Sequence, residues 1–435
     1  MFNLQKLKNG LTLVTAPIEG TKTITALVMV GTGSRYEEKQ LTGISHFLEH
    51  MFFKGTKKRP TTKILSSEMD STGGDFNAFT SKESTGFWMK VDASKTETAL
   101  DIVSDMLLNS KFDKAEIERE KGVIIEEINM YADNPMMYIE DVFEECLYGD
   151  TPAGRDTSGT KETVSKFTRE DFIRYFTGQY KPGNSVICLA GNIKPGTVKK
   201  VEKYFADFAA KHERIDFKEK DIVAVNQSSP ALKINFKKTD QAHLSLGVHA
   251  YSHGHPDEMA LKLLSIILGG SMSSRLFIEL RERRGLAYYV RTSVEGYSDS
   301  GYLSTQAGVK MEKIDEAIKV ILKEYKKIRE ELIKPDELQR VKDLIKGKIV
   351  IQLESSDDVA EWYGRQAAMM LTQQRSKKRG REAVYSPEEF IKKINKVTAK
   401  DIRRVANDIF IGKNLNLAVI GPYKDEDRFK KLLKF

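Results

Sequence analysis

Residues 165–193 can be laid over residues 395–423 without a gap, and an internal repeat of this kind constrains a fold more than any single residue can. In that overlay Lys166, Thr168, Asp171, Asn184 and Gly191 meet Lys396, Thr398, Asp401, Asn414 and Gly421. Each copy reads as a capped helix, a loop and an apolar strand ending in glycine. A second match, in the same order along the chain, pairs Phe112–Ile124 with Ile333–Ile345 and sets Glu116 on Glu337 and Arg119 on Arg340. At 435 residues the chain is also too long for one ordinary domain. The expectation is an α+β fold of two homologous domains, each a mainly antiparallel β-sheet packed with helices. They would span residues 1–215 and 216–435 and join in the polar stretch 211–230.

Composition narrows the class. With 40% hydrophobic and 30% charged residues the chain reads as globular, and no run of about 18 apolar residues suggests a membrane span. The first residues, Met1-Phe-Asn-Leu-Gln-Lys-Leu-Lys-Asn-Gly10, lead directly into strand-like Leu11-Thr-Leu-Val-Thr15. That leaves no room for a secretion signal, and a cytoplasmic location is expected. The net charge of +8 invites a nucleic-acid partner. The lysines, however, alternate with acids in stretches such as 311–348, the pattern of solvated helix faces, so none is expected. Cys146 and Cys188 sit in unrelated contexts and read as buried thiols, not a disulfide.

The chemistry concentrates in residues 42–55, Thr-Gly-Ile-Ser-His-Phe-Leu-Glu-His-Met-Phe-Phe-Lys-Gly. As a helix, this segment places Ile44, Phe47, Leu48, Met51 and Phe52 on one apolar stripe. His46, Glu49 and His50 then share the opposite face as an HxxEH pattern. Histidines one turn apart can hold one Zn²⁺, and an acid between them can take a proton from water. Thr42 is the expected N-cap and Gly55 the expected stop. The other histidines, His212, His243, His249, His253 and His255, make no comparable pattern, and His253 and His255 read as surface residues. Aligning Phe53-Lys-Gly-Thr56 with Leu268-Gly-Gly-Ser271 sets the motif opposite Leu261, Lys262, Leu263, Leu264 and Ser265, none of them a zinc ligand. Only the first copy can hold a metal. A third ligand is not found by spacing. The segment Asp113–Asn134 reads as a helix capped by Asp113, with Glu120 and Glu127 seven apart on one face, although by pattern alone two such acids in a Lys/Glu-rich helix read as a solvated surface pair.

Taken together, His46-Phe-Leu-Glu49-His50, the Glu120 and Glu127 pair, Gly74-Asp-Phe-Asn77-Ala78-Phe79-Thr-Ser and Ser273-Ser-Arg-Leu-Phe-Ile-Glu-Leu-Arg281 through Tyr288 resemble the pitrilysin/insulinase-like zinc peptidases. The similarity points to the two-domain branch that includes mitochondrial processing peptidase, and it runs over nearly the whole chain. It implies one Zn²⁺ per chain held by His46, His50 and Glu127, with Glu49 as general base and Glu120 as a neighbour of the site. Glu126 is the one-residue alternative to Glu127. The resemblance further implies that the strand carrying Asn77, Ala78 and Phe79 accepts an extended peptide along its free edge. Arg281 and Tyr288 would serve substrate and oxyanion, although by pattern alone Arg281 is one of several basic residues on an exposed helix and Tyr288 a core aromatic. The implied protein is a zinc endopeptidase acting on extended or unfolded polypeptide inside a homodimeric chamber. The alternative is a non-catalytic scaffold subunit of the same fold.

Overall fold

The computed structural model describes residues 2–209, 218–375 and 383–435. The expected boundary at 215/216 and His212 lie outside the described residues. Its contacts divide the chain into two compact units, each drawn from three stretches. The first contains Met1–Ile128, Asp156–Asp221 and Ile349–Ser386, and the second contains Asn129–Arg155, Ile222–Lys348 and Pro387–Phe435.

The first unit is built on a six-stranded sheet ordered β1-β2-β6-β3-β5-β4. Its strands are β1 Asn3–Lys6, β2 Thr12–Pro17, β3 Thr23–Val30, β4 Asp75–Thr80, β5 Thr85–Asp92 and β6 Ser185–Gly191. All pairings are antiparallel except β2 with β6. The second unit has a five-stranded sheet ordered β7-β11-β8-β10-β9, from β7 Ala231–Phe236, β8 Ala242–His249, β9 Ala287–Gly296, β10 Gly301–Val309 and β11 Asn416–Gly421. Here too one pair alone is parallel, β7 with β11. The two orders superimpose strand for strand, β1 being the addition, so the duplication read from the sequence is a duplication of topology.

The repeat is visible down to single hydrogen bonds. Thr168 caps the helix Arg169–Gln179 through a capping box with Asp171, and Thr398 caps Ala399–Ile409 in the same way with Asp401. Each box satisfies amides that the first helical turn leaves without partners. The strands that follow, β6 and β11, are buried along their whole length, which is why their sequences are apolar without alternation.

Both faces of the first sheet are covered. One face packs against the helices Ile44–Phe52 and Thr96–Asn109 in a core that includes Phe47, Leu48, Phe52, Phe87 and Met89. The other face takes the helix Ser356–Arg375, whose Val359, Ala360, Tyr363, Ala367 and Ala368 pack on Leu27, Met29 and Cys188. In the second unit the helix Pro135–Tyr148 does the equivalent, burying Ile139, Val142 and Phe143 with Tyr302, Ala418 and Ile420. The helix that closes each sheet therefore comes from the opposite half of the sequence. Residue pattern alone could not show this, because it identifies an apolar face without naming what covers it. Cys188 is buried and Cys146 half-buried, and neither is in a disulfide. No helix among the described residues is long and apolar enough to cross a membrane.

Candidate metal centre

The motif segment forms the helix Ile44–Phe52. A nine-residue helix is too short to persist by itself. Tertiary burial supplies what is missing: Ile44, Phe47, Leu48, Met51 and Phe52 are all essentially inaccessible, each side chain contributing about 2 kcal/mol by leaving water. The expected N-cap, Thr42, does not cap. Its hydroxyl donates to the carbonyl of Lys39, and the N-cap position is Gly43, at a φ of 99°, where a Cβ would also strike the carbonyl oxygen of Ser158. The free amides of the first turn are instead taken by Glu37, whose two carboxylate oxygens accept from Gly43 and Ser45 at 2.8 Å each. Burial pushes the Glu37 carboxyl up to about 7, against the pull of those amides. The helix also stops before Gly55, with Phe53 at its C-cap.

His46, Glu49 and His50 emerge on the half-buried face opposite the stripe. The second contribution comes from the helix Lys114–Asp133, whose N-terminus is held by Asp113 Oδ1, which accepts from the Ala115 and Glu116 amides. Glu120 and Glu127 lie on one side of it, two turns apart, and both reach the histidines. Glu127 Oε1 is 3.6 Å from His46 Nε2, and Oε2 is 3.4 Å from His50 Nε2. One ligand atom from each of His46, His50 and Glu127 can be chosen so that all three lie within 4.8 Å of one another. This is the only such group of three among the described residues. Glu126, one residue earlier, is exposed and not part of it.

Glu120 holds this arrangement from behind. Its Oε1 accepts from His50 Nδ1 at 2.9 Å and its Oε2 pairs with Lys54 Nζ at 2.6 Å. With Nδ1 committed to Glu120, Nε2 is the ring atom left for a metal. The electrostatics agree. Burial opposes charge on His50, but the Glu120 and Glu127 contacts override it and raise its pKa to about 9. The adjacent imidazoles of His46 and then His50 hold the Glu127 carboxyl far below the usual carboxylate range. Glu120 is lowered as well: burial works against its charge, and His50 and Lys54 outweigh burial. Two imidazoles and one ionised carboxylate converging with a supporting carboxylate behind them fit the donor set of a three-ligand zinc site with an open position.

The base candidate sits beside these ligands. Glu49 Oε2 accepts a 2.6 Å hydrogen bond from Thr80 Oγ1. Burial raises the Glu49 carboxyl above the ordinary range, with the Thr80 bond and the nearby histidines pulling the other way. Glu49, His50, Lys54 and Glu120 line a cleft together with Phe53, Phe76, Asn77 and Ala78. Asn77 is exposed on β4, and its side-chain oxygen accepts from the Ala78 amide at 2.9 Å. Phe79 points to the opposite face of the sheet, where Arg365 lies 4.4 Å over its ring. Asn77 and Ala78 thus join the cleft, and Phe79 does not. Lys54 and Thr80 were not singled out from the sequence. The signals were there: Lys54 follows His50 by one helical turn, and Thr80 follows Ala78 by one strand period.

Arg281 and Tyr288 belong to the second unit. Arg281 lies in a π-helical turn, Phe277–Glu282, and Tyr288 at the start of β9. The guanidinium sits 5.7 Å over the Tyr288 ring and 5.0 Å over Phe277. Tyr288 is 74% exposed and so is no core aromatic. In the same unit His253 and His255 are partly exposed: His253 pairs with Glu258 at 3.0 Å and His255 stacks on Tyr251.

The fold agrees with what the chain is similar to. Residues 13–161 match the insulinase family (peptidase family M16), and residues 166–345 match the domain described as the peptidase M16 inactive domain. The chain is 34% identical to the uncharacterized zinc protease YmxG of Bacillus subtilis over 97% of its own length and 98% of that protein. It is 32% identical to an uncharacterized zinc protease of Streptomyces coelicolor, covering 97% of this chain and 89% of the other. Among solved structures, a protease from Helicobacter pylori superimposes with a TM-score of 0.85 at 23% identity, over 97% of this chain and 99% of that one. A chain of Complex III2 from Candida albicans superimposes with a TM-score of 0.80 at 16% identity, over 100% of each chain. The chain belongs to the insulinase family of peptidases, peptidase family M16.

Proposed function

We propose that the protein is a zinc-dependent endopeptidase that hydrolyses extended or unfolded polypeptides, with one zinc per chain held by His46, His50 and Glu127. The observation that carries this reading is the convergence of those three side chains next to an acid not used as a ligand. Zinc, when bound, supplies Lewis acidity for the scissile carbonyl and the attacking water. Glu49 receives the proton of the attacking water and returns it to the leaving amine. The raised pKa that burial gives this carboxyl suits a group that must both accept and donate. Glu120 and Lys54 keep the His50 ring oriented.

Substrate would align along β4, the edge of its sheet. Peptide pairing there would recruit backbone groups without demanding particular side chains, and Asn77 would release the Ala78 amide to an incoming carbonyl. Arg281 and Tyr288, stacked and exposed, are read as donors to substrate and to the oxyanion. A homodimer enclosing a chamber completes the reading, since one chain carries both the metal motif and the Arg/Tyr pair. Light scattering tests this last element, and a monomer at working concentration would remove it.

The scaffold reading requires an inert site. The test is metal analysis with cleavage of a quenched peptide by wild type and Glu49→Gln. Stoichiometric zinc with cleavage abolished by the substitution supports the endopeptidase. Stoichiometric zinc without cleavage in wild type rejects it in favour of the scaffold.

A further inference from the structure

We infer that Thr80 is a positioning residue for the reaction, fixing the Glu49 carboxylate through its hydroxyl and tying the base to the strand on which the peptide would align. The inference rests on the reading of Glu49 as the base. It starts from the 2.6 Å bond from Thr80 Oγ1 to Glu49 Oε2, a charge-assisted contact of the short, strong kind. Oε1 has no hydrogen bond to any described residue, so the Thr80 bond is the one that anchors the carboxylate. Without Thr80 the Glu49 carboxylate would lose its hydrogen bond to the described residues.

Strand geometry puts Thr80 in this position. Phe76, Ala78 and Thr80 alternate onto the face of β4 that meets the motif helix. Phe76 and Ala78 pack into the core that the helix shares, and the rings of Phe53 and Phe76 are 6.4 Å apart. Threonine also has few rotamers open to it.

Both ends of the bond are anchored to one short segment. The turn after β4 is held by Ser34 N to Ser81 O at 3.2 Å and Arg35 N to Lys82 O at 2.9 Å. Gly33 permits that approach: a Cβ there would lie 2.0 Å from the Ser81 carbonyl oxygen. Two residues after Arg35, Glu37 clamps the N-terminus of the motif helix. Residues 33–37 therefore fix the end of β4 and the start of the helix relative to each other, and Thr80 to Glu49 is the side-chain contact this frame aligns. Peptide register along Asn77 and Ala78 and the placement of the base are consequently set by the same strand.

The test compares the full-length, zinc-loaded wild type with Thr80→Val, which keeps shape and removes the donor, and Thr80→Ser, which keeps the donor. Thr80→Val is expected to lower kcat by about 10- to 100-fold, the usual scale for losing an orienting partner, with KM within about twofold and zinc content unchanged. Thr80→Ser is expected to restore most of the loss. A second readout does not depend on turnover. In metal-free protein carrying ¹³C-labelled glutamate, the Glu49 carboxyl resonance, assigned by its absence in Glu49→Gln, should move in Thr80→Val and stay near wild type in Thr80→Ser. An unmoved resonance, wild-type kcat in Thr80→Val, or a loss confined to KM overturns the inference. If wild type does not cleave peptide but the resonance follows the hydroxyl, the endopeptidase reading fails and the hold of Thr80 on Glu49 stands.

Discussion

The helices Ile44–Phe52 and Glu258–Gly269 occupy the same place in the two repeats. Each packs beside the edge strand of its sheet, β4 or β9, and against the helix that begins with a capping box. Their outer faces differ. The first presents His46, Glu49 and His50, all partly accessible, whereas at the aligned positions the second has Leu261, Leu264 and Ser265, all buried. The apolar stripe is shared in part: Ile44, Leu48, Met51 and Phe52 align with Met259, Leu263, Ile266 and Ile267, whereas buried Phe47 aligns with exposed Lys262, and the His/Glu set is particular to one repeat. The family's name for the second domain, inactive, fits this difference. The candidate metal centre thus belongs to one repeat of a scaffold that the other repeat builds without it.

The largest effects should come from exchanging the character of the two helices. Leu264→Glu would bury a carboxylate in an apolar site, and a loss of roughly 3–5 kcal/mol in unfolding free energy is expected. Glu49→Leu, its mirror image, should leave stability within about 1 kcal/mol while lowering kcat by roughly 10²- to 10⁴-fold, the weight of a general base. Equal destabilisation by both would break the comparison.

Next is a pH dependence confined to the first repeat. In metal-free protein the His50 pKa is about 9 instead of 6.5, so the folded state holds its proton more tightly than the unfolded state. The stability from the charged ring is complete below pH 6.5 and is lost as pH rises through 9, amounting to up to about 3 kcal/mol. Urea unfolding of metal-free protein at pH 6.5 and 9.5 measures the loss. His50→Gln should flatten it, and an unchanged loss in that variant would place its origin elsewhere.

Glu120→Gln tests the support behind the ligands. It keeps the side chain's shape but weakens its grip on His50 and leaves Lys54 without its ion pair, and zinc affinity should fall by about 10- to 100-fold in a chelator competition. The smallest effect probes what the repeats share. Thr168→Ala and Thr398→Ala each remove one capping box and should each cost about 1 kcal/mol. A much larger cost on one side would show that the shared frame is itself unequal.

Much of this could be read from the sequence wherever the physics is local. The capping boxes, the apolar stripe and the HxxEH face all follow from helical periodicity, and two acids two turns apart on a second helix were visible as a pair. Their convergence on the histidines was not, because it depends on how two helices pack and entered only through resemblance. The cap supplied by Glu37 escaped the pattern for a similar reason: a carboxylate six residues upstream folds back over the helix start and displaces the local candidate, Thr42. The helices that close each sheet from the other half of the sequence, Pro135–Tyr148 and Ser356–Arg375, were beyond reach, since an apolar face does not name its partner. Tyr288, a core aromatic by pattern alone, is exposed near the start of the edge strand β9.

The most direct test of the account is the number and place of zinc ions, read by metal analysis and anomalous diffraction at the zinc edge on wild type, His46→Gln and Glu127→Gln. One zinc per chain, bounded by His46, His50 and Glu127 and lost or greatly weakened in both variants, is the predicted result. A chain that binds no zinc, or one whose zinc lies in the second repeat and survives both substitutions, would contradict it.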